Sequence, residues 1–453
     1  MKPGQVFENH WPRSNWHFTI AFLAIATVAF PFLAGFPQNP QRQSLQDTVQ
    51  PIYSDSSNDS WNRIFYCLFT RRVATRVSSE YPEGAPFTEF RENSTFRVSI
   101  RTIDRLEIGD RAIDSIYPNF FNTAGVRVVL TEPKYFELVK ALQDALNENA
   151  ARSPVARALM QSDLWSAFDQ LYGQFTAPDL RELEQRRRVL ADLLGRMIKK
   201  VALTAQEIQS LPANYSAAIH RQSLPDIFNK ASGWVEILWF PHRLHEDASN
   251  DRRVARVFLK PTHPSRDLQK FVDDLRKSDG DPILELDGVA LVMQPLLVDT
   301  QGNLRPTSLT TDVQVRLFEK TASGALKSTK IQVAEISRRL FMVDPASGGL
   351  AAEAEDSPAY FPSSGNDYTF AAPQIRMPGP PVQVHLRTRC TFCHGEDLTQ
   401  VMTFSFALPP RMLTPRIRQL DPSAHQEADY VASQKQSRKD FNILRTYFVP
   451  VSK

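Results

Sequence analysis

The sequence predicts an α+β protein in which a mainly helical region precedes a β-rich region. Three observations support this prediction. Before residue 226, apolar residues recur mostly at the three- and four-residue spacing of helices. Between 226 and 345, the dominant pattern is short runs rich in β-branched and aromatic residues, which favour strands. An uncharged apolar stretch precedes both regions, and a segment with its own alternating pattern follows them from residue 382.

Composition narrows the class of protein. A chain of 453 residues favours two or three domains, and a hydrophobic content of 42% is ample for a core. The 53 basic and 50 acidic residues leave a formal charge of only +3, too balanced to predict a nucleic-acid partner. Three cysteines are too few for a disulfide-stapled secreted scaffold. One of them, Cys67, lies in an apolar run and is predicted to be a small buried side chain.

Residues 1–36 are predicted to be a signal or anchor segment. Residues 18–36 carry no charge and approach the roughly 20 apolar residues that span a bilayer. Lys2 and Arg13 precede this run, which is the usual charge arrangement when the N-terminus stays cytoplasmic. Small-residue patterns compatible with cleavage are present, but we favour an uncleaved anchor, and either reading predicts an exported body. The polar, proline-containing residues 37–55 are predicted to be a linker.

Residues 56–225 are predicted to form a mainly helical mixed domain. Apolar periodicity predicts its helices at 61–71, 134–149, 154–175 and 180–201. Residues 125–131 contain three valines and a leucine and predict a strand. The basic run at 184–188 is interpreted as a solvated helix face.

Residues 226–345 are predicted to form a β-rich α+β domain. Its strands are expected at 233–240, 253–260, 282–297, 311–318 and 331–342, with one helix at 267–277. Residues 346–381 collect Pro, Gly, Ser and acidic residues and are predicted to be a linker.

The C-terminal segment, 382–453, begins with a clean alternation. Apolar Val382, Val384 and Leu386 alternate with polar residues as far as Cys390, which predicts a strand with two different faces. A second strand is predicted at 401–406 and mostly helical structure at 422–448.

The pattern with the most specific chemistry lies within this segment. Its residues are Cys390, Thr391, Phe392, Cys393 and His394, the C-x-x-C-H spacing of covalent haem attachment. Two thiols must reach the two vinyl groups on one edge of a porphyrin, and the adjacent imidazole must reach the iron. A tight two-residue turn between the cysteines satisfies both requirements.

At this motif the sequence resembles the c-type cytochromes, and the resemblance covers these five residues together with the export signal. It implies one covalent haem c held by Cys390 and Cys393, with His394 as the proximal iron ligand. It also implies electron transfer on the periplasmic, outer side of the cytoplasmic membrane, with a redox partner protein that the sequence does not identify. The familiar small helical cytochrome fold is not implied, because an alternating strand rather than a helix precedes the motif.

Other readings of the two cysteines stay open. Cys390 and Cys393 could form a disulfide or a redox-active pair, since the predicted compartment is oxidising. A zinc site could use them with His394 and His385, although structural zinc usually has a second ligand pair at regular spacing. A coincidental turn is the third alternative.

The distal iron ligand is less defined by the sequence. Met412 is the first choice because it lies in a predicted loop between a strand and a helix. Met402, His385 and His425 are alternatives, and an open sixth position would give a ligand-sensing haem.

Three functions follow from these patterns. The first is an exported electron-transfer protein with a single haem. The second is a structural or partner-binding exported protein in which the haem is a minor or sensory element. The third is an oxidoreductase whose catalytic site lies in the region before the motif, for which the sequence offers no catalytic residue.

Overall fold

A computed structural model describes much of the chain after residue 48. The described residues are 49–69, 71–75, 105–107, 129–130, 133–149, 151–172, 183–238, 252–263, 267, 269–271, 273, 285–320, 322, 326–353, 358–361, 382–385, 416–418 and 426–449. They all belong to one compact unit, Asp47–Lys453. The predicted anchor at 18–36 lies outside them. Within the described part of the chain, no helix is both long enough and apolar enough to cross a membrane.

Nine helices with defined bounds occur in the described part of the chain. They are α1 (Ser60–Phe69), α2 (Lys134–Asn147), α3 (Pro154–Tyr172), α4 (Glu184–Val201), α5 (Ala205–Gln209), α6 (Asn214–Gln222), α7 (Arg338–Val343), α8 (Gln426–Gln436) and α9 (Lys439–Thr446). Residues 269–271 and 273 are also helical, inside the helix predicted at 267–277.

The strands form two sheets. In chain order they are β1 (Arg71–Thr75), β2 (Arg105–Glu107), β3 (Val235–Leu238), β4 (Arg253–Pro261), β5 (Leu286–Val298), β6 (Leu304–Pro306), β7 (Asp312–Lys320), β8 (Leu326–Ile336), β9 (Leu350–Glu353), β10 (Pro358–Phe361), β11 (Val382–His385) and β12 (Arg416–Arg418). The large sheet has the order β12-β3-β4-β5-β7-β8-β9, with β6 beside β5, and all its pairs are antiparallel. The small sheet has the order β10-β11-β1-β2. Helices together with mainly antiparallel sheets confirm the predicted α+β class.

The large sheet is buried on both faces, which explains the almost continuous apolar runs of its central strands. On β4, Val254 and Phe258 join the main core, whereas Ala255 and Val257 belong to a separate apolar cluster. Successive side chains of a strand point to opposite faces, so these two clusters lie on opposite sides of the sheet.

Helix α3 runs through the middle of the helical region. It packs against α1, α4, α5, α7, α9 and strand β5. Its side chains are buried on every side, including Leu164, Trp165 and Phe168, as expected for a helix that is apolar all round. Gln161 is also buried and exchanges two hydrogen bonds with the backbone of Val298, at 2.9 and 2.8 Å. The helix is therefore joined to the large sheet by polar contacts as well as by packing.

Most predicted elements are confirmed, and three predictions need correction. Residues 129–130, predicted as part of a strand, are helical. The strand predicted at 331–342 ends at Ile336, because the Ser337 hydroxyl accepts a hydrogen bond from the Leu340 backbone N–H and so caps helix α7. The predicted linker 346–381 contains the strands β9 and β10.

The last residues of the predicted N-terminal linker are packed rather than solvated. Ile52 and Tyr53 are buried, and the Asn62 side-chain oxygen accepts both of their backbone N–H groups, at 3.0 and 2.6 Å. The packed body of the protein thus includes residues that precede the predicted boundary at residue 56.

The basic run at 184–188 is only partly the solvated face that was predicted. Arg188 is exposed, but Arg187 donates to the Leu171 carbonyl at 2.6 Å and pairs with Glu184 at 2.8 Å. Arg186 lies over the rings of Tyr135 and Phe136, 5.1 and 5.4 Å from their centroids. The run therefore joins α4 to α2 and α3 through cation–π contacts and carbonyl contacts.

Two glycines with nearly the same backbone conformation allow a test of how closely the turn before β9 is packed. Gly348 and Gly233 have φ of +77° and +78°, but a Cβ on Gly348 would overlap the Asn214 carbonyl oxygen, whereas at Gly233 the nearest atom is 4.0 Å away. We expect Gly348→Ala to lower the free energy of unfolding by about 2–4 kcal/mol, and Gly233→Ala by about 1 kcal/mol. Urea denaturation of both variants measures the difference, and equal losses would contradict the close packing at Gly348.

Candidate functional site

The residues of the haem motif are not among those that the structure describes. Cys390, Cys393, His394 and the tentative distal ligand Met412 lie outside the described residues, as do Met402 and His425. Their roles, and the disulfide and zinc alternatives, stay predictions. What the structure does place are the strands on either side of the segment 386–415, which contains the motif.

Strand β11 leads into this segment. It is an interior strand of the small sheet, antiparallel to β10 on one side and parallel to β1 on the other. Val382 pairs with Phe361, and His385, its last residue, pairs with Pro358. The strand predicted at 382–390 is confirmed for Val382–His385, and its remaining residues lie outside the described chain.

Strand β12 receives the chain after this segment. It forms the edge of the large sheet, where Arg416 pairs with Leu238 and Ile417 with Ile237 of β3. The segment 386–415 therefore starts from an interior strand of one sheet and ends at an edge strand of the other. Helices α8 and α9 follow β12, as the sequence predicted for 422–448, and α8 packs on β4 and β6 while α9 packs on α3.

A cluster of buried charges joins α8 and α9 to the body. Lys435 of α8 donates to Asp169 of α3 at 2.7 Å and to Asp440 of α9 at 2.9 Å. Arg252, which precedes β4, pairs with the same Asp169 oxygen, Oδ2, at 3.0 Å. The side chains of all four are at most 3% exposed. We call these four residues the α3–α8 cluster.

The two acids of the α3–α8 cluster are in different electrostatic situations. Burial raises the pKa of Asp169 to about 6, against the lowering influence of Lys435 and Arg252. Burial also acts to raise the pKa of Asp440, but Lys435 and Arg438 together hold it below its usual value. Asp440 has the better set of partners, because its Oδ1 also accepts the Phe441 backbone N–H at 2.9 Å.

A second buried cluster lies at the middle of α3. Arg338 donates to both carboxylate oxygens of Asp163, through Nε to Oδ2 at 2.8 Å and through Nη2 to Oδ1. The Tyr53 hydroxyl donates to the same Oδ2 at 2.7 Å. Burial, followed by the adjacent Asp163 carboxylate, holds the pKa of Tyr53 well above its usual range, so this hydroxyl stays a hydrogen-bond donor.

A third buried ion pair lies within the large sheet. Arg256 of β4 donates through Nε and Nη2 to the two carboxylate oxygens of Glu236 on β3, at 2.7 and 2.6 Å. Neither side chain is exposed to solvent. Phe228 and Phe258 lie against the guanidinium, with centroids 5.0 and 5.4 Å away. The bidentate geometry and the aromatic contacts make this a structural pair rather than a reactive one.

Reasoning from the sequence did not identify any of these buried charges. One signal was available for α3: Asp163 and Asp169 stand in a helix that has no polar face, so each requires a buried cation. The identity of that cation is not a local property, because Arg338 and Lys435 are distant in the chain.

Metal-binding geometry is not found in the described part of the chain. Among those residues, no group of three or more His, Cys, Asp or Glu side chains is placed to hold a metal ion.

Comparison with known proteins gives no further assignment: no protein-family model, no curated protein and no solved structure matches this chain.

Proposed function

We propose that this chain is an exported c-type cytochrome that carries one covalent haem c and transfers single electrons on the outer side of the cytoplasmic membrane. The observation that carries the proposal is the run Cys390, Thr391, Phe392, Cys393 and His394. The uncharged stretch at 18–36 supports it, because covalent haem attachment in bacteria takes place outside that membrane.

The donor set of the motif fits this cofactor chemically. Two thiols and one imidazole within five residues supply both covalent attachment and one axial ligand. Cys390 and Cys393 would hold the porphyrin through thioether bonds, and His394 would bind the iron through a ring nitrogen. A bound haem supplies a one-electron couple, and Met412, the tentative distal ligand, would raise its potential relative to a second histidine.

The strands on either side of the segment 386–415 are each paired with neighbouring strands. β11 is held by neighbours on both sides, and β12 is held by β3. The buried charges of the described body would serve to stabilise the fold around this segment rather than to take part in electron transfer.

Covalent haem is the first property to test. The full chain, produced in a host that matures c-type haem, should retain haem on a denaturing gel and show a low-spin reduced spectrum. The Cys390→Ala, Cys393→Ala double variant should lose all covalent haem, whereas the control Cys67→Ala should retain it, because Cys67 is a buried residue of α1 outside the motif. A colourless wild-type chain from a competent host would overturn the proposal in favour of a disulfide or metal site.

The distal ligand is tested by spectroscopy on the same material. Met412→Ala should abolish the near-infrared Met–iron absorption and leave the covalent haem in place. Met402→Ala is the matched control, since it removes another methionine of the same segment. Loss of the band in Met402→Ala alone would transfer the assignment to that residue.

The partner-binding alternative makes a different prediction for the haem. The described residues form an extensive core with several buried ion pairs, which supports a role for the body beyond carrying the haem. A ligand-sensing haem leaves the sixth iron position open, so the reduced protein would bind carbon monoxide rapidly. An electron-transfer haem with two axial ligands would not.

A further inference from the structure

The α3–α8 cluster contains one buried carboxylate oxygen that accepts no hydrogen bond from the residues that the structure describes. Asp169 presents Oδ2 to both Lys435 and Arg252, at 2.7 and 3.0 Å. Its other oxygen, Oδ1, is buried and makes no hydrogen bond with any residue that the structure describes. A buried carboxylate oxygen without a donor is unfavourable, because it has lost its hydrogen bonds to water and no protein hydrogen bond replaces them.

A proton on Oδ1 would lower this penalty, because a neutral carboxyl group costs less to bury than a carboxylate, and it would leave the cluster in place. In a neutral carboxyl group protonated at Oδ1, Oδ2 remains a hydrogen-bond acceptor. Lys435 and Arg252 could therefore keep their contacts with Asp169 in both protonation states. From this geometry we infer that Asp169 is a buried proton-binding site, and that proton uptake there tightens the hold of α8 and α9 on the body.

The charged groups facing Asp169 come from three elements. Lys435 approaches from α8, Asp440 with Arg438 from the start of α9, and Arg252 from the residue before β4. Arg438 is 22% exposed and is therefore partly screened by solvent. The aromatic rings of Trp165 and Phe441, 6.0 Å apart, also lie at the junction of α3 with α9, and both residues are buried.

The direction of the pH effect follows from the pKa of Asp169. The folded value is about 6 and lies above the ordinary value for aspartate, so the folded state binds this proton more tightly than an open state does. The stabilisation is fully present below the ordinary pKa and is lost as pH rises through about 6. Asp440 affects stability in the opposite direction, because its pKa is lowered in the folded state. This effect changes stability only at pH values below the ordinary pKa of aspartate.

Hydrogen exchange on the full chain tests this inference. Peptides covering residues 426–449 should show about tenfold greater protection at pH 5 than at pH 7, after correction for the chemical exchange rate. Asp169→Asn imitates the protonated group, so its protection should not change between the two pH values. The control Asp429→Asn, an exposed aspartate on α8, should keep the tenfold response.

Two outcomes would overturn the inference. One is protection of 426–449 in the wild-type chain that is unchanged or lower at pH 5, as a simple salt-bridge account of Lys435 and Asp169 would predict. The other is an unchanged pH response in Asp169→Asn. Should that variant fold poorly, infrared difference spectra of the wild-type chain give an independent reading. They should show the C=O band of a buried protonated carboxyl group at pH 5 and not at pH 7.

Discussion

Replacing Glu236 by Gln should lower the free energy of unfolding by about 3–5 kcal/mol, because it leaves the buried Arg256 guanidinium without its carboxylate partner. The pair is bidentate, at 2.7 and 2.6 Å, and neither side chain reaches solvent. Gln keeps the shape of Glu and one acceptor oxygen, so the loss reports the charge rather than a cavity. Chemical denaturation followed by far-UV circular dichroism provides the measurement.

Two further variants make this expectation specific. Arg339→Gln removes an ion pair of similar length, 2.7 Å, with Asp55, whose side chain is 90% exposed, and should change stability by less than about 1 kcal/mol. The double variant Glu236→Leu, Arg256→Met removes both buried charges and should recover most of the loss. A small effect of Glu236→Gln, or a double variant less stable than the single one, would show that the pair is not the buried unit described.

Elements determined by local periodicity could be predicted from the sequence. Helices α2 and α4 begin within four residues of their predicted starts, because their apolar residues form one continuous stripe. Strand β4 coincides with its prediction to one residue at either end. Each of these elements buries a face that can be recognised without knowledge of what covers it.

Elements determined by distant partners could not be predicted. Strands β9 and β10 lie in a run rich in Pro, Gly and Ser, and they exist because β8 and β11 pair with them. Tertiary pairing outweighs local propensity in such strands. Helix α7 was missed for a related reason: its apolar residues Leu340, Phe341 and Met342 extend the apolar pattern of β8, and only the Ser337 cap marks the change.

The candidate functional residues also fall into those that a local pattern predicts and those that depend on distant partners. The haem motif is a local pattern, so Cys390, Cys393 and His394 could be proposed from spacing alone. The buried acids of α3 required knowledge of the fold, because each is matched by a cation from another part of the chain. Asp163 is matched by Arg338, and Asp169 by Lys435.

Helix α3 thereby connects three parts of the molecule through buried polar contacts. Asp163 binds the N-terminal segment at Tyr53, Gln161 binds β5, and Asp169 binds Lys435 of α8. Buried polar contacts of this kind fix one arrangement, since any other would leave polar groups unsatisfied.

This arrangement leads to a second large expected effect. Asp163→Ala should lower the free energy of unfolding by about 3–5 kcal/mol, because both the Arg338 guanidinium and the Tyr53 hydroxyl would lose their buried partner. Tyr53→Phe removes only the hydroxyl and leaves the Arg338–Asp163 pair at 2.8 Å in place. It should therefore lower stability by about 1–2 kcal/mol.

The two variants should differ in where the protein opens as well as in how much stability is lost. Hydrogen exchange at residues 49–53 should rise in both variants, because Tyr53 is released from Asp163 in each case. Exchange in α7 should rise only in Asp163→Ala, since Arg338 belongs to α7 and keeps its partner in Tyr53→Phe. An increase confined to 49–53 in both variants would mean that Arg338 is held by its other contacts, and that α3 does not couple the N-terminal segment to α7.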